Sequence, residues 1–155
     1  MAQWSWRRWN EKIGDPDVES QLHEFGCGAA CVVMLLGDRG LQADQLVVCA
    51  GLPLPSTGRD LASRLNEFHD GGHWVGGALG SPEQITVDVL RSVGSMGSWG
   101  ALLVPEGQLD GHWVVVDALD DETARVRDPA GSSYSMAVSE LLHLLRFMVV
   151  VAQVS

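Results

Sequence analysis

Residues 21–37, QLHEFGCGAACVVMLLG, decide how the rest of the chain is read. Within them Ala30, Cys31, Met34 and Leu35 recur at helical spacing, and Gly37 and Gly40 stop the run. The spacing predicts a helix over 27–37 with Cys27 at its first position. Amide N–H groups at a helix start have no partner one turn back, and the macrodipole is positive there, so a thiolate is favoured. Gly26 and Gly28 flank Cys27 and leave room for another backbone to approach. A cysteine so placed is a candidate nucleophile, whereas Cys31 and Cys49 read as small buried hydrophobes.

A nucleophilic thiol needs a base, a group to orient the base, and donors for the oxyanion. These are sought downstream, where the hydrophobic period changes to two and strands are expected at 99–104, 112–119, 123–128 and 146–154, with a helix at 138–145 before the last. The polar Asp120-Asp121-Glu122 joins two of these strands as a hairpin. Val114 and Val116 lie in phase with His112, and Ala124 and Val126 with Asp128, so the imidazole and the carboxylate share an apolar face at the open end. Asp117 is the nearest rival to Asp128 and falls on the other face. The tetrapeptide GHWV also occurs at 72–75, but His73 is followed by Gly76-Gly77 and lacks a comparable acidic partner. His112 is therefore the preferred base; His23, His69 and His143 read as loop or helix-surface positions.

Between these two regions the pattern gives helices at 41–49, at 59–68 with Thr57 as cap, and at 81–93 opened by Ser81-Pro82, with a short strand at 73–79. Helices come first and strands later, so the fold class is α+β, a helical part packed on an antiparallel sheet. Residues 1–16 form a Trp- and Arg-rich arm, with Trp4, Trp6 and Trp9 around Arg7 and Arg8, expected to dock on its own domain. The 155 residues read as one domain with no linker.

Composition narrows the function. A net charge of −10, from 20 acidic against 10 basic residues, argues against a nucleic-acid partner, because phosphate binding needs clustered Lys and Arg and Lys12 is the sole lysine. No apolar run is long enough for a signal-peptide core or a membrane span, so a cytoplasmic protein without stable membrane insertion is expected, or one exported by a route the sequence does not encode. Three cysteines have no secreted-framework spacing, and Cys27 with Cys31 makes neither a metal pair nor a good bridge on one helix; no metal or cofactor is expected. The oligomeric state is left open.

Gln21, six residues before Cys27 in Q-x5-C-G-A-A-C, followed by G-H-W-V-V-V and then D-P, resembles the papain-like double-glycine leader peptidases of bacteriocin-exporting ABC transporters. The resemblance runs over roughly 15–155. It implies a papain-like fold and a cysteine peptidase in which Cys27 is the nucleophile, His112 the general base and acid, Asp128 the orienting group, and Gln21 with the Cys27 backbone N–H the oxyanion donors. It also implies a peptide substrate with a Gly-Gly or similar small-residue site, suited to a narrow cleft lined by Gly26, Gly28 and Trp113. Gly26 stands where the family often has Asp, and no ATP-binding or membrane region follows, so a free-standing version is expected. Two other readings share the residues. One is an effector or toxin domain that cleaves, deamidates or transamidates a target protein; the other is a peptide-binding module without catalysis.

Overall fold

A computed structural model describes residues 5–145 and 149–154. The helix at Cys27–Gly37 (α1) forms with the predicted bounds. It is apolar on all sides, and Ala29, Ala30, Cys31, Val32, Leu35 and Leu36 are fully buried, as a helix with no polar face must be. Each buried Val or Leu contributes about 1.5–3 kcal/mol, so α1 anchors the layer it belongs to.

Two helices pack beside it. The first, Gln45–Ala50 (α2), is shorter than the expected 41–49, because Asp44 accepts from the Leu46 N–H and fixes the start there. The second, Gly58–Phe68 (α3), begins at a capping box in which Thr57 and Asp60 bond each other's backbone N–H groups. The helix expected over 81–93 is divided into a single 3-10 turn at Pro82–Gln84 and a helix at Val87–Val93 (α4) capped by Thr86, which accepts from the Val89 N–H. A last helix spans Val138–Leu144 (α5).

The strands are Trp9–Ile13 (β1), His73–Ala78 (β2), Trp99–Leu103 (β3), His112–Leu119 (β4), Thr123–Asp128 (β5), Ser132–Ala137 (β6) and Val149–Val154 (β7). They make one antiparallel sheet in the order β1-β6-β5-β4-β3-β7-β2. The expected strand at 146–154 is present from Val149; residues 146–148 lie outside the described residues. Two strands escaped the sequence reading. β1 is a charged edge strand carried by the arm, and β6, SSYSMA, buries serines where apolar alternation was sought. Trp4 lies outside the described residues, but Trp6 is buried, so the arm docks on its own sheet.

Alternation along β4 divides the interior. Trp113 and Val115 face α1, α2 and α3, while Val114 and Val116 face Trp6, Leu90 of α4, and Val138 and Leu141 of α5. Helices therefore cover the sheet on both faces. Among the described residues no helix is long and apolar enough to cross a membrane.

Candidate active site

Cys27 opens α1, and the loop before it is built to hold that start in place. The Gly26 N–H donates to the His23 carbonyl at 2.9 Å, and a Cβ on Gly26 would stand 3.1 Å from the same oxygen, so the turn is tight. The Gln21 N–H donates to the Pro129 carbonyl at 2.8 Å, tying this loop to the end of β5. Gln45 on α2 holds its other side, accepting from the Leu22 N–H and donating to the Ser20 carbonyl, both at 2.8 Å.

A one-residue bulge brings the histidine and the carboxylate to one face. Val115 and Val116 pair with Arg127 and Val126, but Ala118 and Leu119 pair with Arg125 and Ala124, so Asp117 is the extra residue. Continuing the first register sets Asp128 opposite Val114, on the face that His112 shares. Without the bulge Asp128 would oppose Val115 and point toward α1. Asp117 itself turns away from His112 and, with Asp38, grips the Arg127 guanidinium.

The contacts form a chain. His112 Nε2 lies 2.5 Å from Asp128 Oδ1, and Cys27 is close enough to the ring to help raise its pKa. With Nε2 engaged by Asp128, Nδ1 is the ring nitrogen left for sulfur. The Trp113 N–H donates to Cys27 Sγ at 3.5 Å. Asp128, fully buried, takes two further donors: the Ala130 N–H on Oδ1 at 2.8 Å and the Tyr134 hydroxyl on Oδ2 at 2.7 Å.

Burial sets these charges against their partners. It would push His112 down, but the hydrogen bond to Asp128 and the nearby Asp128 and Cys27 side chains outweigh it and hold the imidazole at about 9, against 6.5 ordinarily. Burial would push Asp128 up; the bonds from His112, Ala130 and Tyr134 keep it below its ordinary value. The site therefore holds an imidazolium and a carboxylate through neutral pH. Cys31 is different: complete burial, with Cys27 nearby, pushes its thiol well up.

Not every predicted residue lies where the sequence reading placed it. The Trp113 indole is 2% exposed and donates to the Ser56 carbonyl at 3.1 Å, so it packs in the interior and only its backbone N–H faces the sulfur. Gly28 is buried as well; a Cβ there would meet Leu61 at 3.0 Å and Ser56 and Trp113 at 3.5 Å. Gly26, Gly28 and the indole are all buried in this packing. The Gln21 side-chain amide donates to the His23 and Glu24 carbonyls, both at 3.0 Å, and so braces the turn into α1. His73 is exposed on edge strand β2, and His69 accepts from the Trp74 indole. Tyr134 was missed, because its strand carries only two in-phase large side chains, Tyr134 and Met136, among serines. Among the described residues no group of three or more His, Cys, Asp or Glu could hold a metal ion.

No protein-family model matches the chain. Over 132 residues, 84% of its length, it is 38% identical to cysteine protease effector 1 of Escherichia coli O1:K1:H7, and it spans 25% of that protein. Among solved structures it is similar to a C39-like peptidase from Bacillus anthracis, with a TM-score of 0.70 and 12% identity over 94% of this chain and 98% of the other. It is also similar to a double-glycine motif protease from an AMS/PCAT transporter, solved with its leader peptide, with a TM-score of 0.68 and 16% identity over 96% of this chain and 98% of the other. These likenesses run through both helical layers and the sheet between them, and the chain has the papain-like fold of the C39-like and double-glycine peptidases.

Proposed function

We propose that this domain is a cysteine peptidase with Cys27, His112 and Asp128 as its triad. The observation that carries the reading is the buried His112–Asp128 pair set beside Cys27 at the start of α1, with the Trp113 N–H on the sulfur. The similarity to a cysteine protease effector supports the same chemistry.

Cys27 Sγ attacks the substrate carbonyl carbon, its proton held by His112. The carbonyl oxygen gains negative charge beside the α1 N-terminus, where the Cys27 N–H is free of any intrahelical partner. Gln21 supplies a second donor by giving up one of its two loop carbonyls. His112 then passes its proton to the departing amine, leaving a thioester on Cys27. Water attacks that thioester with His112 as base, and the acid product leaves. Asp128 keeps Nε2 occupied, so Nδ1 stays aimed at sulfur throughout.

The substrate class follows the similarity to a double-glycine protease: a peptide cut after a Gly-Gly or similar small-residue pair. A second reading, an effector domain acting on a target protein, is favoured by the 38% identity to an effector and uses the same thioester. Incubating wild type and Cys27→Ala with a Gly-Gly peptide library, followed by mass spectrometry, separates the outcomes. Cleavage products from wild type alone are expected, whereas a deamidation mass shift with intact chains would replace the peptidase reading. Iodoacetamide at pH 6 should label Cys27 at least about tenfold faster than Cys49, and His112→Ala should remove that difference. Equal labelling in wild type would overturn the triad.

A further inference from the structure

Asp128 is a dry carboxylate with two oxygens to satisfy, and the triad accounts for one of them. Oδ1 takes His112 and the Ala130 N–H; Oδ2 takes the Tyr134 hydroxyl at 2.7 Å. Tyr134 pairs with Val126 across β5 and β6, and Asp128 with Ser132, so the ring is Asp128's diagonal neighbour on the same face. The tyrosine is fully buried.

The hydroxyl could in principle direct its proton elsewhere, but its other partner forbids that. Trp6 Nε1 donates to the Tyr134 oxygen at 2.9 Å, and an indole N–H can only donate. The tyrosine must therefore accept from Trp6 and donate to Asp128, which gives the chain one polarity: Trp6 to Tyr134 to Asp128, met from the other side by His112. Trp6 is 6% exposed, its ring centroid is 6.3 Å from that of His112, and Arg8 lies over both aromatic rings, 5.2 Å from Trp6 and 4.5 Å from Tyr134. Trp6 and Arg8 are delivered by the N-terminal arm, which continues as β1 and pairs with β6 at Trp9 and Ser135.

We propose that Tyr134 and Trp6 are positioning residues of the active site, so that the N-terminal arm is a working part of it: Trp6 orients Tyr134, Tyr134 fixes Asp128, and Asp128 aims His112 at Cys27. This rests on reading Cys27, His112 and Asp128 as the triad. Removing the Tyr134 hydroxyl leaves Oδ2 buried without a donor, and an unsatisfied carboxylate oxygen either takes up a proton or turns away. In both cases His112 loses the partner that holds its proton, and the reactive pair with Cys27 survives over a narrower pH range.

The test is the rate of iodoacetamide alkylation at Cys27 against pH, followed by peptide mass spectrometry, in wild type, Tyr134→Phe and Trp6→Phe, with melting curves alongside. No peptide substrate is needed. Tyr134→Phe keeps its ring and loses only the hydroxyl, whereas Trp6→Phe loses the indole N–H together with part of a buried ring, a packing cost that the melting curves register. Tyr134→Phe should narrow the profile by about one pH unit and slow labelling at pH 6 about tenfold, and Trp6→Phe should move it the same way by roughly threefold, with Cys49 labelling unchanged. Folded variants with the wild-type profile overturn the proposal, since mere packing partners would lower the melting temperature and leave the profile in place. If Tyr134→Phe does not fold, Trp6→Phe decides, because it leaves Tyr134 and Asp128 intact. A wild-type Cys27 labelled no faster than Cys49 is a different failure: it removes the triad itself, and this chain of positioning bonds with it.

Discussion

In the proposed triad His112 is the residue whose charge state sets the working range. Its folded value of about 9 lies above the ordinary 6.5, so the stability it contributes is fully present below about 6.5 and lost as pH rises through 9. Asp128 runs the other way: lowered from 3.8, it contributes above that value and fails as pH falls through its folded one. Thermal melts from pH 3 to 10 should peak between these limits, and kcat/KM for a cleaved peptide should decline near pH 9, where His112 no longer carries the proton for the leaving amine. Asp128→Asn is the sharper test. It keeps the shape and loses the charge, leaving burial to push His112 down; kcat should fall by about two to four orders of magnitude and the alkaline limb should move below 9, with KM little changed. An alkaline limb still at 9 would mean that Asp128 does not hold His112. Cys27 and His112 were legible in the sequence because a helix start and a strand start are local events. Tyr134 was not, because its importance comes from a neighbour six residues away across a turn and another at the N-terminus.

The element that matters most for this geometry is the bulge in β4, and it is the least visible feature of the sequence. Alternation correctly grouped His112 with Val114 and Val116, and Asp128 with Val126, but a regular hairpin around Asp120–Thr123 would have set the two groups on opposite faces. Asp117 supplies the extra residue, and Arg127 holds it with Nε and Nη2 on its carboxylate. Asp117→Ala should keep the bulge, since Arg127 retains Asp38 and the Asp17 carbonyl, and should cost about 1–3 kcal/mol in urea titration with Cys27 reactivity intact. Deleting Asp117 should restore the regular register, turn Asp128 toward α1 and abolish selective Cys27 labelling in whatever fraction remains folded. Selective labelling in that deletion would show that the bulge does not set the face. β1 and β6 were missed for a related reason. β1 is mostly exposed, and β6 buries serines around its two core residues, with Ser132 bonded to Glu11 and Ser133 to Asp15, so pairing stabilises them where hydrophobic period does not.

Across the whole molecule the groups of the proposed triad belong to different layers. Cys27 rides on α1 above one face of the sheet; His112 and Asp128 share the other face with Trp6 and Tyr134, and the groups meet only at the end of β4. Global stability and site geometry are then separable, because the site is held by short-range ties: Gln21 to Pro129, Gly26 to His23, and Trp113 to the sulfur. Leu35, fully buried in the layer of α1, α2 and α3, and Met136, fully buried in the opposite one, test this. Each change to Ala should cost about 2–5 kcal/mol, and because the sheet stands between the two side chains their effects should add to within about 0.5 kcal/mol. At temperatures where the single variants remain folded, the pH profile of Cys27 alkylation should match wild type. A shifted profile in Leu35→Ala would mean that α1 packing, rather than the loop in front of it, places the sulfur. Gly76 gives the complementary case. A Cβ there would stand 1.9 Å from the Gly58 carbonyl oxygen at the start of α3, so Gly76→Ala must push α3 off β2. It should lower the melting temperature, with a cost of about 1–3 kcal/mol, and leave the alkylation profile in place.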